Sequence, residues 1–198
     1  MTKPKLPQDC EIFFEPEFLS AAEADHLYEL LKQHIDLQPQ EIKLGFGATH
    51  ILDTPKTIFT SEEIIASGKL HEADGAGKLW LPELAALRQR LEEKVKRAFG
   101  VCVCIYYQDG SKGVDYHSDL RAFGDTSCIP SLSLGAQRVF SLRNLENPQL
   151  QYEVSLPHGS LIVMGENCQE RYAHALLPDA AVGSDRINLT FRAFGNQS

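Results

Sequence analysis

The chain has 198 residues, 43% of them hydrophobic and 23% charged, with a formal net charge of −8. That length suits one domain burying roughly 70% of its unfolded surface, and no apolar run approaches the ~20 residues that a bilayer span requires. An acidic surface disfavours long-range attraction to a polyanion, although a local basic patch could still attract one.

The first residues, MTKPKLPQDCEIFF, lack the apolar stretch of a signal peptide, so a cytoplasmic location is expected. The five cysteines are odd in number and include no C-x-x-C pair, so neither zinc nor dithiol chemistry is expected, and reduced, mostly buried structural thiols are. In LSAAEADHLYELLKQHI, Ser20 and Glu23 fit a capping box behind Leu19, and Leu27, Leu30, Leu31 and Ile35 form a helical stripe. Loops and short strands are expected from Asp36 to Gly77, where the glycine pair of GFG at 45–47 is too weak a signal for a phosphate loop. LPELAALRQRLEEKVKRAFG predicts a second helix with Pro82 in its first turn, a stripe of Leu84, Leu87, Leu91 and Val95, and Gly100 as its stop.

After Gly100 the period shortens. VCVCIYY, VDYHSD, IPSLSLG, QRVFSLR, QYEVSLP, GSLIVMG, RYAHALL and RINLTFRAF alternate with turn-rich segments such as QDGSKG, PHG and PDAAVGSD. Strands following helices predict an α+β, mainly β fold, either a β-sandwich or a jelly roll, with N-terminal helices packed outside.

Within this run, VDYHSDL places His117 and Asp119 two residues apart, on one face of a strand. Two histidines and one carboxylate can hold a non-haem iron and leave positions open for cosubstrate and oxygen. His158, between Pro157 and Gly159, reads as a turn residue, whereas His174 lies in an apolar strand and is the better third ligand. In RINLTFR, Arg186, Asn188, Thr190 and Arg192 alternate with Ile187, Leu189 and Phe191. The polar face is either solvated or buried against an anion, and a dicarboxylate would match two guanidinium groups.

The ordered set YHSD, IPSLSLGAQRVFSLR, LPHGSLIVM, His174 and RINLTFR resembles the AlkB family of Fe(II)/2-oxoglutarate dioxygenases from Tyr106 to Phe194, and more faintly through TPKTIF and LPELAALRQRLEEKV. The resemblance implies a double-stranded β-helix in one domain, residues 1–198, with a helical, lid-bearing part over 1–99 and the catalytic jelly roll over 100–198. It implies iron bound by His117, Asp119 and His174, and 2-oxoglutarate bound by Arg186 with Tyr106 and Asn188, Arg192 lying near the iron-bound carboxylates. Oxygen would be the oxidant, with 2-oxoglutarate as the cosubstrate it oxidises. Asp119 fills the third protein position, so hydroxylation is expected over halogenation.

The reaction expected is oxidative demethylation of alkylated nucleic-acid bases by a monomer that does not use a membrane. The alternative is hydroxylation of a small molecule, peptide or protein side chain. Intact ligand and arginine positions speak against a non-catalytic barrel. Two positions depart from the family pattern. Cys104 stands where an Asn usually precedes the tyrosine by two residues, and Arg121 stands two residues after Asp119, where repair members carry an acidic acceptor. If the strand continued that far, Arg121 would face the substrate, offering donors only and repelling a cationic methylated base. Phe46 and Phe59 are the candidates for stacking on a base in the nucleotide lid, with membership of the core as the expected reading of both.

Overall fold

The computed structural model describes residues 4–43, 49–70, 75–119 and 121–195. Phe46 and its flanking glycines lie outside the described residues. In chain order the elements are β1 (Ile12–Glu15), α1 (Ala21–His34), β2 (Gln40–Lys43), β3 (Thr49–Leu52), β4 (Lys56–Thr60), α2 (Glu62–Ala66), β5 (Ala76–Leu79) and α3 (Pro82–Val95). Then follow β6 (Val101–Tyr107), β7 (Val114–His117), β8 (Ile129–Gly135), β9 (Arg138–Asn144), β10 (Gln151–Leu156), β11 (Ser160–Met164), α4 (Cys168–Arg171), β12 (Tyr172–Leu176) and β13 (Arg186–Arg192).

Among the described residues, a seven-stranded sheet runs β1-β11-β8-β13-β6-β4-β5 and a four-stranded sheet runs β10-β9-β12-β7. This is a jelly roll, mainly β, with helices outside. The large sheet takes β1, β4 and β5 from the first hundred residues, so the N-terminal part contributes strands as well as helices. β4 pairs antiparallel with β6, and β5 extends the edge in parallel with β4.

Both faces of the large sheet are covered. Leu27, Leu31, Leu84, Leu87 and Leu91 of α1 and α3 pack on Cys104, Tyr106, Leu132, Leu134, Ile187, Leu189 and Phe191. On the other face, Ile129, Ile162 and Met164 meet Phe140, Leu142, Val154, Leu156 and Tyr172 of the small sheet or its approach. α1 starts with the expected capping box: Glu23 N–H donates to the Ser20 hydroxyl, and the Glu23 carboxylate receives the Ser20 N–H at 2.8 Å.

α3 stops before Gly100. Lys96 adopts the left-handed conformation with φ of 56°, and the Glu92 carboxylate then captures the Phe99 N–H at 2.8 Å. The chain peels away there so that Phe99 enters the core and Val101 can start β6. Gly100 serves a different purpose. A Cβ there would lie 2.5 Å from the Cβ of Phe194, so glycine allows the chain end after β13 to pass closely.

Candidate active site

β7 and β12 run antiparallel with His117 opposite His174. Their rings approach to 4.3 Å between centroids. β7 ends at His117, and Asp119 lies just beyond it, where its N–H donates to the side-chain carbonyl of Gln169 at 2.8 Å. The donor atoms of His117, Asp119 and His174 all lie within 4.8 Å of one another, the only such cluster among the described residues. His158 is elsewhere. Its Nδ1 accepts the Gly135 N–H at 2.8 Å and its Nε2 meets Asp25 at 3.1 Å, tying α1 to the β8–β9 turn.

The chemistry of this donor set suits a divalent transition metal. His117 Nδ1 lies 2.8 Å from the Asp115 carbonyl oxygen. Only a protonated nitrogen can donate there, which leaves Nε2 with the lone pair in the neutral ring. Burial pushes the pKa of His174 down to about 4, outweighing the attraction of Asp119, so the ring is neutral near pH 7, as ligation requires. Its Nδ1 is buried without a hydrogen-bond partner. Asp119 supplies a negative charge and stands 3.3 Å from Arg192 Nη1 and 3.9 Å from His174 Nε2. A two-histidine, one-carboxylate set is the one associated with non-haem iron(II) oxygenases.

The cluster opens on a cavity of about 510 Å³ between the two sheets. The polar face of β13 lines it: Arg186, Asn188, Thr190 and Arg192 point in, while Ile187, Leu189 and Phe191 fill the helix-side core. Sequence alternation left open whether that polar face meets solvent. It is buried, with Arg186 2% and Arg192 4% exposed. Arg186 donates to the Ser133 hydroxyl and to Asn188 Oδ1, both at 2.8 Å, yet its Nε is buried without a partner. Burial lowers its pKa to about 10, which still leaves it charged near pH 7. Arg186, Arg192, Lys56 and Asp119 are the charged lining residues, three cations to one carboxylate. The cavity is thus locally positive within an acidic chain, the condition that suits an anionic ligand.

Three expectations need correction. Tyr106 does not face the cavity. It packs among the helix-side core residues, and its hydroxyl donates to Asp185 at 3.2 Å. Tyr107 takes the cavity position, opposite Arg186 across the β13–β6 ladder and with the Arg186 guanidinium 5.3 Å from its ring centroid. The same shift moves the position two residues earlier from Cys104 to Ile105. Cys104 is buried against the helices, and Ile105 lines the cavity. Arg121 is the third. It sits in a 3-10 turn (Arg121–Phe123) rather than a continuing strand, is absent from the cavity wall, and has a side chain 81% exposed, 4.0 Å from Glu170. Phe59, fully buried in the helix-side core, cannot stack on a base.

Residues that sequence reasoning missed include Tyr107, Lys56, Gln169 and Phe123. A two-residue period could have offered Tyr107 as readily as Tyr106. For Lys56 the signal is the TPKTIF segment, whose resemblance to the family assigns the lysine no place in the site. Gln169 carried no local sign.

A jelly roll enclosing a two-histidine, one-carboxylate cluster beside a buried arginine defines the architecture of a mononuclear oxygenase. The sequence model of the 2OG-Fe(II) oxygenase superfamily matches residues 12–192, and the chain belongs to that superfamily. The "Alpha-ketoglutarate-dependent dioxygenase alkB homolog 3" of Mus musculus is 35% identical over 193 residues, covering 89% of this chain and 64% of that protein. The "DNA oxidative demethylase ALKBH2" of Mus musculus is 28% identical over 184 residues, covering 86% of this chain and 75% of that protein. The chain therefore spans less than two thirds of the first of these relatives. The solved structure of OsALKBH1 shares the fold with a TM-score of 0.60 at 17% identity, over 94% of this chain and 100% of that one. Among the described residues, no helix is long and apolar enough to cross a membrane.

Proposed function

We propose that the chain is an iron(II)- and 2-oxoglutarate-dependent dioxygenase that oxidatively demethylates alkylated nucleic-acid bases. The observation that carries this reading is the ligand cluster facing a positively charged cavity with Arg186 at its wall. One mouse relative is an alpha-ketoglutarate-dependent dioxygenase and the other a DNA oxidative demethylase, which supports the proposed reaction and substrate class.

In this reading His117, Asp119 and His174 hold the iron. With iron held by these three residues, 2-oxoglutarate and oxygen would supply oxidative decarboxylation of the keto acid to succinate and CO2 together with hydroxylation of a C–H bond. The protein's own groups prepare for it. Arg192 and the Gln169 side chain hold Asp119 in orientation, and the Asp115 carbonyl fixes the tautomer of His117. Arg186 receives the distal carboxylate of 2-oxoglutarate, its orphaned Nε gaining the acceptor that it lacks, with Tyr107 and Asn188 beside it. Phe140, Met164 and Leu176 give the cavity apolar walls that limit water near the reacting carbon. A hydroxylated N-methyl group then leaves as formaldehyde, the base nitrogen taking the proton.

The net charge of −8 favours the alternative, a hydroxylase of a small molecule, peptide or protein side chain. Two findings weaken that objection: the cavity is locally positive, and Arg121 stands outside it. Incubation with methylated oligonucleotides, iron(II) and 2-oxoglutarate tests the choice by mass spectrometry. Loss of one methylene per lesion, with one succinate formed, supports the reading. Succinate formation with no demethylated product on any methylated base sinks it in favour of the alternative.

A further inference from the structure

Away from the cavity, the described residues bring two thiols into contact. Cys168 Sγ lies 3.0 Å from Cys10 Sγ and 3.1 Å from the Glu11 carbonyl oxygen. Their separation in sequence is 158 residues. The contact is built from both sides. Asp9 receives the Tyr172 hydroxyl at 2.7 Å and Arg171 Nη1 at 3.0 Å. Glu11 N–H donates to the Glu166 carbonyl at 2.9 Å, and Gly165 N–H donates to the Glu11 carbonyl at 2.7 Å. The backbone on each side of Cys10 is thus clamped to the residues flanking Cys168.

The two sulfurs differ in access. Cys10 lines an open groove of about 730 Å³, whereas Cys168 is 1% exposed. We infer that Cys10 and Cys168 form a redox-exchangeable dithiol, with Cys10 as the thiol that meets the oxidant and Cys168 as the one that resolves it. The oxidant is a small-molecule disulfide of the glutathione class. The Cys10 thiolate attacks one sulfur of that disulfide, whose S–S bond breaks and releases one glutathione thiolate, which takes up a proton. Cys168 then gives up its proton and attacks the Cys10 sulfur of the mixed disulfide, expelling the second glutathione thiolate. Two electrons pass from the protein thiols to the oxidant, and the protein gains one S–S bond.

Geometry favours the second step. The sulfurs need close only about 1 Å to reach the ~2.05 Å of a disulfide. The hydrogen bond between the two thiols lowers the pKa of Cys10 and, with burial, raises that of Cys168, so Cys10 supplies the thiolate of the first step and Cys168 attacks only once the mixed disulfide stands beside it. Cys102 and Cys104 are poor competitors, because burial pushes both thiols up and leaves no path for an oxidant. Cys128 lines the same groove as Cys10, with a pKa raised to about 11 by burial. The bond would form one residue from Gln169, the residue whose side chain holds the Asp119 N–H. The inference does not depend on which substrate the oxygenase uses.

The test equilibrates the 198-residue chain in mixtures of reduced and oxidised glutathione, quenches with acid, alkylates and maps the peptides. A single transition should remove two of the five free thiols and yield a Cys10–Cys168 cross-linked peptide. Cys168→Ser should accumulate a Cys10–glutathione adduct instead, and Cys10→Ser should form neither product. Bridging residues this far apart should also raise the thermal midpoint of the unsubstituted chain by roughly 5–15 °C. A glutathione adduct that persists on Cys10 of the unsubstituted chain, a cross-link to Cys128, or a midpoint unmoved by oxidation would overturn the assignment.

Discussion

Arg192 Nη1 lies 3.3 Å from Asp119 Oδ1, joining the last residue of β13 to the segment just past β7 at the cavity wall. Both side chains are largely shielded, Arg192 at 5% and Asp119 at 18% exposure. The contact holds one carboxylate oxygen toward the large sheet while Gln169 fixes the backbone of the same residue. Orientation of the carboxylate thus depends on groups that are not themselves ligands.

Arg192→Lys should therefore weaken iron(II) binding by about 10–100-fold while keeping the positive charge, because an ammonium cannot reproduce the planar fork. Titration of iron(II), or of cobalt(II) as a spectroscopic stand-in, measures this. Asp119→Ala and His117→Ala should abolish binding in the same assay. Unchanged affinity in Arg192→Lys would show that Asp119 is oriented without the arginine.

Arg186→Ala should raise the 2-oxoglutarate requirement steeply, since removing one partner of a buried charge pair costs roughly 3–5 kcal/mol. Iron(II) binding should survive, because Arg186 is not part of the cluster. An unchanged half-saturating concentration of 2-oxoglutarate would rule out the assigned role.

The two tyrosines of β6 separate cleanly. Tyr107→Phe should raise the half-saturating 2-oxoglutarate concentration about five- to tenfold, the loss of a hydrogen bond of ~1–1.5 kcal/mol. Tyr106→Phe removes only the bond to Asp185. It should leave that concentration within about twofold and lower unfolding stability by about 1 kcal/mol. The reverse pattern would restore Tyr106 to the site.

Arg121→Glu should leave kcat/KM on oligonucleotides carrying 1-methyladenine or 3-methylcytosine within about twofold, because a side chain 81% exposed in a 3-10 turn meets solvent rather than the base. A large gain in activity would bring the arginine back to the substrate.

Asp185 offers a pH test. Burial alone would raise its pKa, but hydrogen bonds from Tyr28 and Lys32 more than compensate and hold it below the usual carboxylate range. A depressed folded-state pKa means stability fully present above the unfolded value of about 3.9 and lost as pH falls through the folded value. Asp185→Asn should cost about 1–2 kcal/mol near neutral pH, and the gap to the unsubstituted chain should narrow as pH drops below about 4. Urea unfolding at several pH values measures both, and a gap independent of pH would contradict the linkage.

Much of the site follows from spacing within single segments. His117 and Asp119 stand two apart, and Arg186, Asn188 and Arg192 share a strand face whatever lies around them, because extended backbone alternates its side chains. The capping box of α1 is similarly local, made by residues three apart. What alternation cannot supply is which face looks inward when both are buried. In VCVCIYY every residue but Ile105 is buried, so no polar face marks the phase, and only the pairing of β6 between β13 and β4 turns Tyr107 to the cavity and Tyr106 to the helices. Nor can alternation be carried past a strand's end. The 3-10 turn after β7 swings Arg121 into solvent while Asp119, two residues earlier, stays inside. Gln169 and Lys56 reach the site from distant segments, and the Cys10–Cys168 contact joins thiols 158 residues apart. Such meetings arise from packing many strands into one barrel, an energy shared across the whole core and therefore absent from any one stretch of the chain.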